Sequence, residues 1–295
     1  MFRRSLSDVF VERLCAAPFW ANVIGNPLLQ PEIRQESVTV YCRGSGLIRD
    51  LRQQQGGWVA RTHPSFVPVA SERDSVELRC DDSAGFTFVN EPKALPPGVL
   101  SASTLAAYMQ RLPDRPEDLI KDAIVRHAGN VILDQEVAFA DSATERDRVD
   151  VCAYLPDRNA LVLVEIKRKD DARLFSPDGL SIPEVITQLS GYRTRLQNQA
   201  EEVMPAYREV VRLKRRLGLA GRLGSLPEDG PIDYLHRPVL VVGECSDKDI
   251  EAIRSGQGKW GPLLRALPEV ASCLILCGTT CKLTTGRHRH VVNFD

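Results

Sequence analysis

The chain has 295 residues, of which 43% are apolar and 26% charged, a composition typical of a soluble globular protein. Its 38 basic and 39 acidic residues give a net charge of −1, which excludes a strongly basic nucleic-acid coat protein and leaves only local basic patches for such contacts. No apolar run reaches the roughly 18 residues that a membrane helix needs, so no membrane partner is expected.

The first residues, MFRRSLSDVFVERLC, carry Asp8, Glu12 and Arg13 where an export signal would keep an apolar core. We therefore expect a cytoplasmic protein whose eight cysteines are reduced thiols. Three of these cysteines fall in CLILCGTTC, residues 273–281, with histidines soon after. Their spacing does not fit a zinc knuckle, so a zinc site is only a minor alternative.

Residues 36–90 contain short β-branched and aromatic runs separated by Gly, Pro, Ser and Asp, a pattern typical of strands joined by turns. The next segment, EPKALPPGVL at 91–100, carries three prolines and one glycine and is the best candidate for a linker. We therefore predict a β-rich N-terminal domain over 1–100, with a regulatory or recognition role. A second domain over 101–295 is expected to fold alone.

After residue 100 the hydrophobic pattern predicts a mixed α/β domain. Asp114 is the expected N-cap of its second helix, and a capping box from Ser181 to Glu184 is expected to start the helix that follows the strands. The PDRN sequence at 156–159 is a predicted turn between two strands. The predicted elements begin with helices over 101–112 and 113–129, strands over 131–139, 148–155 and 160–168, and helices over 181–197 and about 202–218. They end with a strand over 237–245, helices over 246–256 and 260–268, and a strand over 271–279.

Charged residues interrupt the strand ALVLVEIKR. Because strand side chains alternate between faces, Glu165 and Lys167 continue the line of Leu161 and Leu163. If the preceding strand pairs with this one, Asp150 lies near Glu165. Two adjacent carboxylates stay ionised only with a cation between them, and hard oxygen ligands suit Mg²⁺, for which Mn²⁺ can substitute. The pattern thus predicts a Mg²⁺ site in which Lys167 orients a water or stabilises charge on a phosphate.

Two helices add candidate residues. Glu117 falls on the apolar stripe of Ile120 and Ile124, which favours a ligand or water anchor. The alternative is an ordinary first-turn acid, which the helix dipole favours, and the sequence leaves both interpretations open. Gln188 and Tyr192 are four residues apart and therefore neighbours on the later helix.

Together, Asp150, the Glu-Ile-Lys triplet at 165–167 and the Gln-x-x-x-Tyr element at 188–192 resemble the PD-(D/E)XK nuclease superfamily, in particular its RecB-type branch. The order helix, three strands, helix, strand over about 115–245 resembles the restriction-endonuclease-like core of that family, a mixed sheet flanked by helices. The literal Pro-Asp, at 156–157, lies in the predicted turn. The metal role is therefore assigned to Asp150.

This resemblance implies that Asp150 and Glu165 bind Mg²⁺, with the carbonyl of Ile166 also on the metal. Lys167 would position or activate the attacking water, and the Gln-x-x-x-Tyr pair would hold the active site or the substrate backbone. The implied reaction is hydrolysis of a phosphodiester bond in nucleic acid, with DNA favoured over RNA.

A narrower resemblance covers residues 164–193, VEIKRKDDARLFSPDGLSIPEVITQLSGYR. This segment is similar to the one in Shedu-type anti-phage nucleases, where a loop containing Leu-Phe joins the Glu-x-Lys strand to the Gln-x-x-x-Tyr helix. The resemblance implies bacterial anti-phage defence, a variable N-terminal domain and a homo-oligomer.

Basic residues cluster beside the Glu-x-Lys strand and on the Arg-rich helix. The candidates for a phosphate-binding groove are Arg168, Lys169, Arg212, Arg215 and Arg216. The alternative is the solvated face of an amphipathic helix. The inner side of that helix would then be Val203, Tyr207, Val210 and Val211.

Two other functional classes stay open. One is a non-catalytic nucleic-acid-binding or assembly protein that keeps a nuclease fold. The other is a structural module in which Glu165 and Lys167 form a buried ion pair. Metal-dependent cleavage that disappears in Lys167→Ala would indicate the nuclease, whereas the ion-pair interpretation predicts a loss of thermal stability and nothing else.

Overall fold

The computed structural model describes residues 2–66, 75–80, 85–89, 100–113, 115–139, 148–224, 226–231, 233–278, 280–284 and 290–294. These residues contain eight α-helices and two β-sheets, so the fold is α/β. They form two compact units. Unit 1 comprises Met1–Phe2, Ala123–Arg208 and Arg222–Asp295, and unit 2 comprises Arg3–Asp122 and Glu209–Gly221.

Unit 2 is built around a six-stranded antiparallel meander in which each strand pairs with the next along the chain. Its strands are β1 (Gln30–Arg34), β2 (Ser37–Cys42), β3 (Ser45–Gln54), β4 (Gly57–Thr62), β5 (Val76–Cys80) and β6 (Thr87–Phe88). The helices that precede and follow this sheet are α1 (Asp8–Ala16), α2 (Pro18–Gly25), α3 (Ala102–Met109) and α4 (Pro116–Arg126), the last of which continues into unit 1.

Unit 1 contains a seven-stranded mixed sheet in which β9 (Ala160–Arg168) is central. The antiparallel strands β7 (Val131–Val137) and β8 (Val149–Leu155) lie on one side of β9. On the other side, β11 (Val239–Gly243) and β12 (Cys273–Leu276) run parallel to β9, and β13 (Val291–Asn293) ends the sheet. The short strand β10 (Asp233–Tyr234) also pairs with β9. Every residue of β9 from 160 to 167 is buried, as expected of a strand covered on both faces.

The helices of unit 1 lie between these strands in the chain. They are α5 (Glu184–Asn198), the first part of α6 (Ala200–Arg216), α7 (Asp247–Arg254) and α8 (Gly261–Val270). The order α4, β7, β8, β9, α5, α6, β11 follows the predicted order of elements. Among the described helices, none is long and apolar enough to cross a membrane.

The two sheets are separate, with β1–β6 in one and β7–β13 in the other. The unit with the first sheet continues past residue 100, because it includes residues up to Asp122 and the segment Glu209–Gly221. The predicted linker at 91–100 lies, except for Leu100, outside the described residues. Independent folding of 101–295 stays a prediction.

The capping box predicted from Ser181 to Glu184 is wrong. Helix α5 begins at Glu184 with Pro183 at the N-cap, which provides no side-chain hydrogen bond. The backbone N–H and hydroxyl of Ser181 instead donate to Asp178 Oδ1 at 2.7 and 2.8 Å. Asp178 therefore closes a local turn that competes with the cap for the serine. The other predicted cap, Asp114, lies outside the described residues.

A buried ion pair ties the second part of α6 to the first sheet within unit 2. Lys214 Nζ lies 2.6 Å from Glu32 Oε2, and the two side chains are only 5% and 3% exposed. We predict that Lys214→Met lowers the free energy of unfolding by about 3–5 kcal/mol, because the buried Glu32 carboxylate would lose the ammonium charge that it contacts. Urea denaturation of the purified variant measures this change.

The matched control is Arg212→Met on the same helix, which removes a pair with Glu209 at 2.6 Å in which the arginine is 55% exposed. Exposed pairs contribute at most about 1 kcal/mol. A Lys214→Met protein no less stable than the Arg212→Met protein would show that the buried pair does not anchor the helix.

Candidate active site

The pairing of β8 with β9 brings Asp150 to the end of the central strand. The two strands are antiparallel as predicted, with Val151 opposite Val164. One further step of this register places Asp150 opposite Glu165, on the same face of the sheet. The Asp150 carboxylate also accepts a hydrogen bond of 2.8 Å from the backbone N–H of Ile166. This bond holds the Asp150 carboxylate against β9.

Glu165 and Lys167 form a close ion pair between Nζ and Oε1 on the face of β9 that alternation predicted. Each residue is 1% exposed. Lys167 Nζ also donates to the carbonyl oxygen of Ile166 at 3.1 Å. The ammonium group is therefore held over the strand end between a carboxylate and a carbonyl.

The second carboxylate oxygen of Glu165, Oε2, is buried and has no hydrogen-bond partner within the described part of the chain. Buried polar atoms in folded proteins almost always have a partner, so this oxygen is a candidate ligand atom. The oxygens at the strand end belong to Asp150, Glu165 and the Ile166 carbonyl. Oxygen ligands of this kind fit Mg²⁺ or Mn²⁺ better than a softer metal.

This donor set is sparse. In the residues that the structure describes, no group of three or more His, Cys, Asp or Glu side chains converges on one point. Mg²⁺ commonly needs only one or two carboxylates and retains several waters. Two carboxylates and one carbonyl are therefore compatible with this ion.

The electrostatics of the strand end reflect its burial. Burial raises the pKa of Glu165 to about 8, the nearby charge of Asp150 adds to this, and Lys167 opposes it. For Lys167, burial acts to lower the pKa, but the charges of Glu165 and Asp150 together outweigh it and the pKa is raised. The lysine is therefore an ammonium ion, and the Glu165 carboxylate has a raised proton affinity chiefly because it is buried, with a smaller contribution from the charge of Asp150.

Helix α5 places Gln188 and Tyr192 beside these groups. Gln188 Nε2 donates to the Tyr192 hydroxyl at 2.6 Å, and that hydroxyl donates to the carbonyl oxygen of Arg148 at 2.9 Å. Arg148 directly precedes β8 and lies two residues before Asp150. Burial raises the pKa of Tyr192, and the negative charge of Glu165 raises it further. The structure therefore brings Asp150, Glu165, Gln188 and Tyr192 together in unit 1.

Glu117, the remaining predicted site residue, lies in the first turn of α4 and is half-buried. Its segment belongs to unit 2, whereas the strand end belongs to unit 1. A role for Glu117 at the site stays a prediction.

The basic residues at the end of β9 have acidic partners. Arg168 contacts Glu244 and Asp170, each at 3.0 Å. Lys169 Nζ lies 2.6 Å from Asp249, the residue whose carboxylate also completes the capping box of α7. These two side chains therefore hold the end of β9 against the chain that follows β11, and a phosphate would have to compete with carboxylates for them.

The basic residues of α6 have a similar environment. Arg212 pairs with Glu209, Arg216 lies 2.5 Å from Asp8, and Arg215 is half-buried. The predicted inner side of the helix is confirmed, since Val203, Tyr207, Val210 and Val211 are each at most 1% exposed. These arginines lie in unit 2 and Arg168 and Lys169 in unit 1, so their roles in binding nucleic acid stay predictions.

A pocket with a volume of ≈ 530 Å³ lies along one face of α5 and was not predicted. Its lining includes Gln188, Tyr192, Gly191 and Arg195 together with Arg173 from the turn before the helix. The sequence contained a signal for it, because Arg195 lies seven residues after Gln188 and therefore on the same helix face. The contribution of Arg173 depends on a turn that periodicity does not reveal.

Comparisons with protein-family models, with curated proteins and with solved structures found no match. The roles of these residues are therefore argued from their geometry.

Glu165 predicts an unusual dependence of stability on pH. Its pKa is raised from the ordinary 4.5 to about 8 on folding, so the folded state binds the proton more tightly than the unfolded state. The resulting stabilisation is complete below about pH 4.5 and disappears as the pH rises through 8. Wild type should thus lose on the order of a few kcal/mol relative to Glu165→Gln between pH 5 and pH 9. Urea denaturation in EDTA at several pH values measures this difference.

Glutamine keeps the shape of the protonated acid and cannot ionise. Subtracting the Glu165→Gln curve from the wild-type curve therefore removes the contributions of titrating groups that do not interact with Glu165. Two parallel curves between pH 5 and pH 9 would contradict the raised proton affinity of Glu165.

Proposed function

We propose that this chain is a Mg²⁺-dependent nuclease that hydrolyses phosphodiester bonds in DNA. The observation that carries the proposal is the carboxylate of Glu165, which is buried at the end of the central strand with Oε1 on Lys167 and Oε2 without a described hydrogen-bond partner. A carboxylate kept only for a structural ion pair would be expected to have both oxygens satisfied. One oxygen left for a ligand supports a cation site.

The residues that would hold the ion are Asp150 and Glu165 through their carboxylates and Ile166 through its carbonyl. When bound, Mg²⁺ would supply positive charge that offsets the repulsion between the carboxylates and favours deprotonation of water beside a phosphate. The hydrogen bond from the Ile166 N–H to Asp150 keeps that carboxylate oriented before any ligand arrives.

Lys167 would act as a hydrogen-bond donor and a fixed positive charge. Its ammonium group is held by Glu165 and by the Ile166 carbonyl, which fixes its position over the strand end. A preorganised cation in a buried site stabilises negative charge that develops on a phosphate in the transition state. Because the pKa of Lys167 is raised, the lysine is suited to donate a hydrogen bond and not to abstract a proton.

Gln188 and Tyr192 would act as positioning residues. Their shared hydrogen bond and the contact of the Tyr192 hydroxyl with the Arg148 carbonyl hold the start of β8. Asp150 follows two residues later, so these bonds limit its movement relative to Glu165. Small displacements of such groups have large effects on rate.

A non-catalytic nucleic-acid-binding or assembly protein that keeps this fold is the second candidate. Its supporting observation is the close contact of Lys167 with Glu165, which a site that has lost its metal would also contain. The narrower proposal, a Shedu-type anti-phage nuclease that is cytoplasmic and homo-oligomeric, rests on the sequence resemblance of residues 164–193.

We predict that wild type cleaves at least one of linear duplex DNA, supercoiled plasmid, single-stranded DNA and RNA when Mg²⁺ or Mn²⁺ is present. Glu165→Gln should abolish that cleavage, because glutamine cannot ionise to hold the cation. Mg²⁺ at about 100 times its dissociation constant should stabilise the wild-type fold by about 2.7 kcal/mol, and this stabilisation should also disappear in the variant. Gel assays and thermal melting provide the two measurements.

The charge-matched control is Glu251→Gln on the exposed side of α7, which should keep cleavage and Mg²⁺ stabilisation. Glu165→Gln should still bind nucleic acid, since binding depends on basic side chains. Cleavage by Glu165→Gln at the wild-type rate would remove the central residue from the proposal.

A further inference from the structure

The pocket along α5 opens beside the candidate catalytic groups. Gln188 and Tyr192 line it, and the same two side chains contact each other and the start of β8. Arg173, on the turn Ala172–Leu174, also lines the pocket, and its positive charge acts on Lys167. The pocket therefore continues directly from the site at the end of β9, within unit 1.

The charge of the pocket lining suits a phosphate. Arg173 is held by Asp171, whose oxygens accept from Nε at 3.0 and 3.2 Å and from Nη2 at 2.5 Å. This fork fixes the guanidinium at the pocket wall. Arg195, half-buried, provides a second guanidinium, while Glu184 is the acidic residue of the lining. Guanidinium groups pair readily with phosphate oxygens.

The lining is also long enough for a nucleic-acid strand. Glu184 and Arg195 are eleven positions apart on one helix, which corresponds to about 16 Å at 1.5 Å per residue. Stacked nucleotides of one strand are separated by about 3.4 Å. The helix face can therefore accompany the backbone beyond a single phosphate, and Thr187 and Gln188 place neutral hydrogen-bonding groups along it.

Gly191 keeps the middle of this wall open. Glycine inside a helix costs about 1 kcal/mol relative to alanine, so its presence in α5 calls for a local reason. A Cβ atom added at this position would meet no atom within 4 Å. Gly191 is therefore not needed for another part of the protein to pack closely against α5. The space beside it is part of the pocket.

We propose that this pocket binds the sugar-phosphate backbone next to the scissile bond, with Arg173 and Arg195 contacting phosphate oxygens and Gly191 leaving room for the strand. The inference rests on the proposed nuclease function and adds to it the path of the substrate strand. Arg195 is a binding residue on this path, three residues beyond Tyr192 along α5.

The test is fluorescence anisotropy of a labelled single-stranded DNA oligonucleotide in EDTA, where no cleavage occurs. Arg195→Ala should weaken binding about fivefold and reduce the salt dependence by about one phosphate contact, with Arg195→Lys retaining part of the affinity. Gly191→Leu should weaken binding to a similar extent by filling the pocket. Arg265→Ala on the exposed side of α8 should bind like wild type.

A second readout separates the pocket from the chemistry. Hydrolysis of bis(p-nitrophenyl) phosphate, a diester too small to extend along α5, should fall less in Arg195→Ala than cleavage of the oligonucleotide does. Melting temperatures show whether each variant is folded. If Gly191→Leu is not folded, the comparison of Arg195→Ala with Arg195→Lys decides the outcome. Wild-type affinity in folded Arg195→Ala and Gly191→Leu proteins would overturn the pocket alone. A wild-type protein that neither binds nor cuts nucleic acid would overturn the nuclease proposal as well.

Discussion

The buried contact between Lys167 and Glu165 is the constraint on which the rest of the site depends. Two charges at the end of a fully buried strand are costly unless they are paired and hydrogen-bonded. Lys167 satisfies one oxygen of Glu165, and the Ile166 carbonyl accepts from the same ammonium group. The remaining oxygen of Glu165 is left without a described partner. The pair is therefore incompletely compensated, and a cation held jointly with Asp150 would complete it.

The order of the chain explains how these groups meet. The short turn between β8 and β9 fixes an antiparallel register, which brings Asp150 to the carboxyl end of β9. The connection from β9 to the parallel strand β11 then contains α5, which carries Gln188 and Tyr192 to that same end. Ligand sites in α/β sheets commonly form beside the carboxyl ends of strands, where such crossovers begin. The pairing of neighbouring strands thus brings the two carboxylates together, and the crossover helix places Gln188 and Tyr192 beside them.

Most of this arrangement could be predicted because it follows from periodicity and short connections. The alternation along β9 gave the common face of Glu165 and Lys167, and the turn gave the pairing with Asp150. Features that depend on distant residues were not predicted. One example is the hydrogen bond from Arg168 to Glu244, which is 76 positions away in the chain. The division into units also depends on distant contacts, since the indole of Trp20 donates to a carbonyl 197 residues later. The wrong capping box had a local cause, since an Asx turn and a cap compete for one serine hydroxyl.

The most direct test is the anomalous diffraction of crystals soaked in Mn²⁺. The account predicts an anomalous peak at the end of β9, within coordination distance of carboxylate oxygens of Asp150 and Glu165. A peak absent from crystals of Glu165→Gln would assign the ion to that carboxylate. A wild-type map with no peak there at millimolar Mn²⁺, and with Glu165 still paired with Lys167, would contradict the account and leave the pair as a structural ion pair.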